Sequence, residues 1–225
     1  MWLALDTATD RASLALGRPG EVVARETIVG ARNHAGALVP ALESCLGRAG
    51  ITSAEIEGIA LADGPGSFTG LRVGASLAKA LVRVQAVPLW IAPSLRVCAA
   101  AGGEGEGIVL AVSNALRGEL FAAAYRFLPG MVETILAPVV ITPKDLAARV
   151  PAPARIVGPA APTLGGEPTW PDAADLLGLI GLAGGVSLSA DPSRWEPEYG
   201  RPAEAQAVWE RTHGRPLADP ARASG

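Results

Sequence analysis

The chain opens on two apolar runs in which large and small side chains alternate. Trp2-Leu3-Ala4-Leu5 ends at Asp6-Thr7, and Ala12-Ser13-Leu14-Ala15-Leu16 ends at the turn Gly17-Arg18-Pro19-Gly20. Short alternating runs closed by turn formers predict strands. Glu21 to Val29 adds a third, so the chain begins as a meander whose first hairpin loop carries Asp6, Thr7, Thr9 and Asp10. The period then changes. Ala35, Leu38, Leu42, Cys45, Leu46 and Ala49 recur at helical spacing, with Asn33 as N-cap and Gly50 as terminator. Pro40 lies inside this helix, and the carbonyl its ring crowds belongs to Gly36, which predicts a kink and not a break. Residues 58–62 read as a strand, 63–67 as a turn, 69 or 70 to 85 as a helix, 88–91 as a strand and 94–101 as a helix.

Gly102-Gly103-Glu104-Gly105-Glu106-Gly107 reads as a linker. After it the opening theme returns: Ile108 to Val112, Leu120 to Phe127 and about Val132 to Ile141 predict a second meander, followed by a short helix from Pro143 to Arg149. Two halves that each run strand-strand-strand-helix indicate a duplicated α/β architecture. Residues 151–171 hold six prolines and read as loop; Asp172 to about Gly184 reads as a helix; 191–225 reads as irregular, with a frayed end. The expected organisation is residues 1–101 as one lobe, 108–190 as a smaller second lobe, and 191–225 as a C-terminal segment and tail.

The helix at 71–85 is unusual. Arg72, Ser76, Lys79 and Arg83 form one narrow polar stripe, and the rest of the circumference is apolar, with Gly70, Gly74 and Ala78 in a row where another backbone can approach. A surface helix needs one apolar stripe. Either this helix is enclosed within its own domain, or one face packs on a sheet and another meets a partner chain.

Composition narrows the field. Hydrophobic residues make up 49% and charged residues 18% of the 225, and the net charge is −3. A mean hydropathy of +0.30 excludes a disordered chain, and the charge excludes a broad basic nucleic-acid surface. The first residues lack a basic n-region, and the longest apolar stretch, Leu176 to Ala190, is too short for a membrane span. With Cys45 and Cys98 expected as buried thiols, a reduced, cytoplasmic protein is expected. Neither Lys79 nor Lys144 follows a glycine, so no Walker A motif exists, and two histidines give no zinc spacing. Gly74-Ala75-Ser76-Leu77-Ala78 falls inside a helix and is no nucleophile elbow.

The turn Asp63-Gly64-Pro65-Gly66-Ser67-Phe68-Thr69-Gly70 has two readings. Pro65 between glycines makes a tight strand-to-helix turn, with Ser67 or Thr69 as cap. A glycine-rich turn opening a helix can also cradle an anion. The spacing is one residue too long for a dinucleotide fingerprint.

The string Gly64-Pro65-Gly66-Ser67-Phe68-Thr69-Gly70-Leu71-Arg72 closely resembles the signature of the TsaB (YeaZ) family, non-catalytic subunits of the bacterial machinery that makes threonylcarbamoyladenosine in tRNA. Leu5-Asp6-Thr7-Ala8-Thr9, Asn33-His34 to Pro40, Arg117-Gly118-Glu119 and Glu196-Pro197-Glu198-Tyr199-Gly200-Arg201 support it. The resemblance implies an actin/Hsp70/sugar-kinase-like ATPase fold of two related lobes. Active members of that fold offer an Asp and small hydroxyls to phosphate and metal from each lobe's first hairpin. Asp6, Thr7 and Thr9 would be the vestige of a nucleotide site, opposite Ser113-Asn114, where the family more often has Asp in place of Asn114. The catalytic paralogue TsaD binds metal through two histidines four apart; here His34 is followed by Leu38. The resemblance therefore implies no metal, no catalytic residue, and no cofactor beyond weakly held nucleotide. It implies docking of TsaD on the helices at 34–48 and 70–85, through Leu38, Leu42, Gly74, Leu77, Ala78 and Leu81. TsaE, an ATPase, would be the third partner, tRNA an indirect one, and a homodimer through the same helices is possible. Competing classes are an ATP-dependent kinase or hydrolase using Asp6 on metal, a purely structural homodimer, and a peptidase, for which no nucleophile, base and orienter occur together.

Overall fold

A computed structural model describes residues 1–30, 34–102, 107–150, 155–201 and 212–213. Strands β1 (Trp2–Asp6), β2 (Arg11–Arg18) and β3 (Glu21–Val29) form the opening meander. Helix α1 (His34–Ala49) runs unbroken through Pro40 and leads to β4 (Gly58–Ala62), which pairs parallel to β1. Helix α2 (Phe68–Gln85), β5 (Leu89–Ala92) and α3 (Ser94–Ala101) follow. The second half repeats the plan: β6 (Ile108–Asn114), β7 (Leu120–Leu128) and β8 (Met131–Ile141) make an antiparallel meander, α4 (Pro143–Arg149) crosses over, and β9 (Arg155–Val157) returns parallel to β6. Helix α5 (Ala173–Leu179) and β10 (Ser187–Leu188) complete it. The strand orders are β10-β5-β4-β1-β2-β3 and β8-β7-β6-β9.

The alternation along the first sheet sorts its two faces. Leu3, Leu5, Leu14, Leu16, Ile59 and Leu61 project to one side, where they bury Leu38, Leu42, Cys45, Ala75 and Ala78 of α1 and α2. Each such leucine contributes about 1.5–3 kcal/mol by leaving water. Ala4, Ala15, Ala60, Ala62 and Ala92 project to the other side. Those small residues let α5 lie close to the sheet, while α3 lies against α5 and against β6 and β7 of the second sheet. Leu95, Val97, Cys98 and Ala99 of α3 are all buried, as an apolar helix without a wet side must be.

This middle layer corrects the expected domain boundaries. Val109, Ala111, Ala123 and Tyr125 of the second sheet belong to the same continuous core as the alanine face of the first. The chain also returns: α5 packs beneath β1 and β2, and β10 adds to the edge of β5, so residues 173–188 are not confined to a second lobe. Five layers result, with α1 and α2 outside the first sheet, α3 and α5 between the sheets, and α4 outside the second.

Other expectations also shift. Helix α5 stops at Leu179, short of Gly184, because the glycine-rich stretch breaks into tight turns and Gly184 takes φ +73°. Strands β9 and β10 lie in segments read as loop or helix flank. Cys45 and Cys98 are buried free thiols, as expected. The Asn33 cap, residues 103–106 of the linker and the tail beyond Arg201, apart from 212–213, lie outside the described residues.

Candidate functional site

The glycine turn is a junction of chain segments. Ser67 is the cap: its Oγ accepts the Gly70 N–H at 3.2 Å, while the Ser67 N–H donates to the Ala8 carbonyl at 2.7 Å. Ser94 closes the other side, its Oγ accepting the Gly64 N–H at 3.0 Å. Side chains at Gly66, Gly70 and Gly74 would meet Ala8 O at 2.3 Å, Thr7 O at 2.1 Å and Thr7 Oγ1 at 2.3 Å; at Gly64 one would meet Glu198 O at 2.0 Å. Glycine is needed here because the β1–β2 loop and the C-terminal segment press on the turn. Of the two roles open from the sequence, this geometry supports the structural turn, since the N–H groups of Gly64, Ser67 and Gly70 already donate to Ser94 Oγ, the Ala8 carbonyl and Ser67 Oγ.

The β1–β2 loop is closed. Asp6 is 0% exposed; its Oδ1 accepts the Ala8 N–H at 3.1 Å, and among the described residues its Oδ2 has no hydrogen-bond partner. Burial, with Asp172 adding repulsion, pushes its pKa up to about 8 against the relief from Ala8. Thr7 is equally buried, and among the described residues its hydroxyl, set against Gly74, has no hydrogen-bond partner. Thr9 Oγ1 bonds Arg11 N and O. Outside, the Arg11 guanidinium stacks 4.0 Å over Trp170, whose Nε1 donates to Asp10 Oδ1 at 3.2 Å. Of the three residues expected as the vestige of a nucleotide site, Asp6 and Thr7 are buried in the protein, while Thr9 is half-buried and bonded within its own turn. In the second hairpin, Asn114 Oδ1 accepts the Leu116 N–H at 2.7 Å and so closes its own turn. Among the described residues no three His, Cys, Asp or Glu side chains gather as metal ligands. His34 opens α1, and Leu38 stands one turn on.

The open feature lies on the other side of α2. Between α1 and α2 runs a groove of about 500 Å³, with Leu38 as floor, Val39 on one wall, and Phe68, Val73, Ser76 and Leu77 on the other; Arg72 forms its rim. Among the residues expected to meet a partner, Leu38, Leu42, Gly74 and Ala78 are buried in the chain's own core, because α1 and α2 turn that side to the sheet. Leu77 and Leu81 are half-buried. The outward apolar residues missed from the sequence include Val39, 51% exposed, and Val84, 82% exposed. A signal for Val39 existed: it is one position off the Leu38–Leu42–Cys45 stripe, and so projects about 100° away from it.

Two sheets that repeat a meander with a parallel fourth strand, joined by helical crossovers, define an actin/Hsp70/sugar-kinase-like fold. The chain belongs to the family described as "TsaD: tRNA N6-adenosine threonylcarbamoyltransferase", which matches residues 21–159. Within that family it is similar to proteins named TsaB or YeaZ. It is 31% identical over 134 residues to "tRNA threonylcarbamoyladenosine biosynthesis protein TsaB" of Bacillus subtilis, covering 60% of this chain and 58% of that protein. It is 33% identical over 126 residues to the Escherichia coli protein of the same name, covering 55% and 54%. The match thus spans little more than half the length of these curated relatives. In three dimensions it resembles "YeaZ from Pseudomonas aeruginosa" with a TM-score of 0.75 and 26% identity, over 88% of this chain and 98% of that one.

Proposed function

We propose that this chain is a non-catalytic subunit in threonylcarbamoyladenosine formation on tRNA, and that it seats a TsaD-type threonylcarbamoyltransferase in the α1–α2 groove. One contrast carries the reading: the hairpin that would hold nucleotide is packed shut, while the groove beside it is open and apolar. Membership of the transferase family and likeness to proteins named TsaB support it. A partner carrying two helices of the same kind would complete a helical bundle across the groove. Binding favours whichever partner conformation fits, so the subunit acts by shifting a population and not by chemistry. TsaE and tRNA would join through the transferase, and no cofactor or metal of this chain's own is needed. No helix among the described residues is long and apolar enough to cross a membrane, and the place of work would be the cytoplasm.

The test is calorimetric titration with the transferase of the same organism. A tight one-to-one complex supports the proposal, provided the chain alone turns over neither Mg-ATP nor a peptide substrate. Turnover of Mg-ATP by the isolated chain would favour the kinase or hydrolase class. Light scattering reports the homodimer: a self-associated species that the transferase does not break up would favour a purely structural role.

A further inference from the structure

The polar stripe of α2 is engaged by the chain itself. Residues 195–201 run along it as a strap. Trp195 is half-buried against the edge of the core that includes α2, with Lys79 Nζ 5.7 Å from its ring centroid, and Glu196 Oε1 lies 2.9 Å from Lys79 Nζ. The Glu198 N–H donates to the Asp63 carbonyl at 2.8 Å, and the Glu198 carbonyl fills the space left free at Gly64. The Tyr199 ring stands 4.5 Å from the Phe68 ring, and its hydroxyl takes a long hydrogen bond, 3.4 Å, from Arg72 Nε. The Arg72 guanidinium in turn lies over Phe68, 4.1 Å from the ring centroid. Beyond, Gly200 passes between Pro65 and Phe121, and Arg201 pairs with Glu119 in the β6–β7 turn. The strap is therefore anchored on α2 at one end and on the second sheet at the other.

Phe68 and Arg72 are also walls of the groove, whereas no strap residue lines it. We propose that Tyr199 is a positioning residue for the groove: its ring packs at a tilt against Phe68 and it holds Arg72, so the rim is formed before a partner arrives. The inference rests on the groove being the partner's seat. Its physical basis is the ordering cost of an arginine, which has many rotamers when free and few when stacked. A rim ordered in advance spares the complex that cost.

Tyr199→Ala, Tyr199→Phe and the groove variant Leu77→Glu are titrated with the same transferase, and the thermal unfolding of each is recorded. Tyr199→Ala is expected to bind about 10-fold more weakly; Tyr199→Phe, which loses the long hydroxyl bond but keeps the ring against Phe68 and 5.9 Å from the Arg72 guanidinium, is expected within about twofold of the parent. A strap that only staples the fold would lower the melting temperature of Tyr199→Ala and leave its affinity unchanged at a temperature where it is folded. That result, with Leu77→Glu impaired, overturns the inference and spares the groove. Wild-type binding by Leu77→Glu overturns both. If Tyr199→Ala does not fold, Tyr199→Leu keeps the bulk without an aromatic face or hydroxyl, and carries the same expectation and the same refutation.

Discussion

The β1–β2 loop and the α1–α2 groove lie on two sides of one helix, and they are built oppositely. The loop has the chemistry of a ligand site without the room: Asp6 and Thr7 are buried beneath Gly70 and Gly74, with polar atoms left unpartnered. The groove has the room without the chemistry: among the described residues that line it, Arg72 is the one charged side chain amid apolar and small polar walls. A buried carboxyl whose pKa is raised gives up its proton reluctantly. An open apolar trough can gain free energy by being covered, about 25 cal/mol for each Å² of apolar surface. The side of α2 that offers open apolar surface is therefore the one facing away from the β1–β2 loop.

The strongest way to break this contrast is to put charge into the groove. Val39→Glu with Leu77→Glu places two carboxylates on facing walls, at one exposed and one half-buried position. Transferase binding is expected to fall by at least about 100-fold, since an unpaired charge buried at an interface costs several kcal/mol. Circular dichroism should show an intact fold. Unchanged affinity would mean that the partner sits elsewhere.

Next in size is the pH response of the closed loop. Asp6 has a folded pKa of about 8 against an ordinary 3.8. Below pH 4 the acid is protonated whether the chain is folded or not, and its contribution to stability is whole. As pH rises towards 8 the unfolded chain releases the proton and the folded chain keeps it, so stability falls, by up to about 1.4 kcal/mol per pH unit for one proton. Asp63, raised by burial to about 7, and Asp175, raised to about 6, add to the decline in the same direction. Denaturant unfolding should therefore show Asp6→Asn more stable than the parent at pH 8, with the gap closing by pH 4. Its affinity for the transferase should match the parent's. A parent whose stability is flat from pH 4 to 8 would mean that water reaches Asp6 and that the loop is not closed.

The sheets were legible because strand periodicity is local: the Leu and Ala alternation of β1, β2 and β4 states both that these are strands and that two unlike faces are needed. The glycine signature was legible as a turn for the same reason. What faces those glycines was not, because Thr7, Ala8 and Glu198 come from distant parts of the chain. The sequence leaves the outward side of α2 open for a related cause. Helical spacing shows that Leu71, Ala75 and Ala78 share a side, but only the sheet beneath decides that this side is the covered one. Strand β10 left no mark at all, since two residues, Ser187 and Leu188, become a strand only by finding the edge at Trp90 and Ile91.

Packing around the closed loop can be sharpened with one methyl group placed at two glycines. At Gly70 an added Cβ meets the Thr7 carbonyl at 2.1 Å, a backbone atom that cannot swing aside. Gly70→Ala should cost about 1–3 kcal/mol, and so lower the melting temperature by about 3–10 °C in a chain of this size. At Gly47, inside α1 and exposed, nothing lies within 4 Å. Here the methyl acts mainly on the unfolded chain, by removing backbone freedom, and it also favours the helix. Gly47→Ala should stabilise by about 0.5–1 kcal/mol, a rise of about 1–4 °C. Opposite signs from one chemical change would tie the glycine pattern of α2 to the loop pressed against it. A fall at both positions would point to helix geometry in general, and equal small rises would mean that Thr7 does not lie against Gly70.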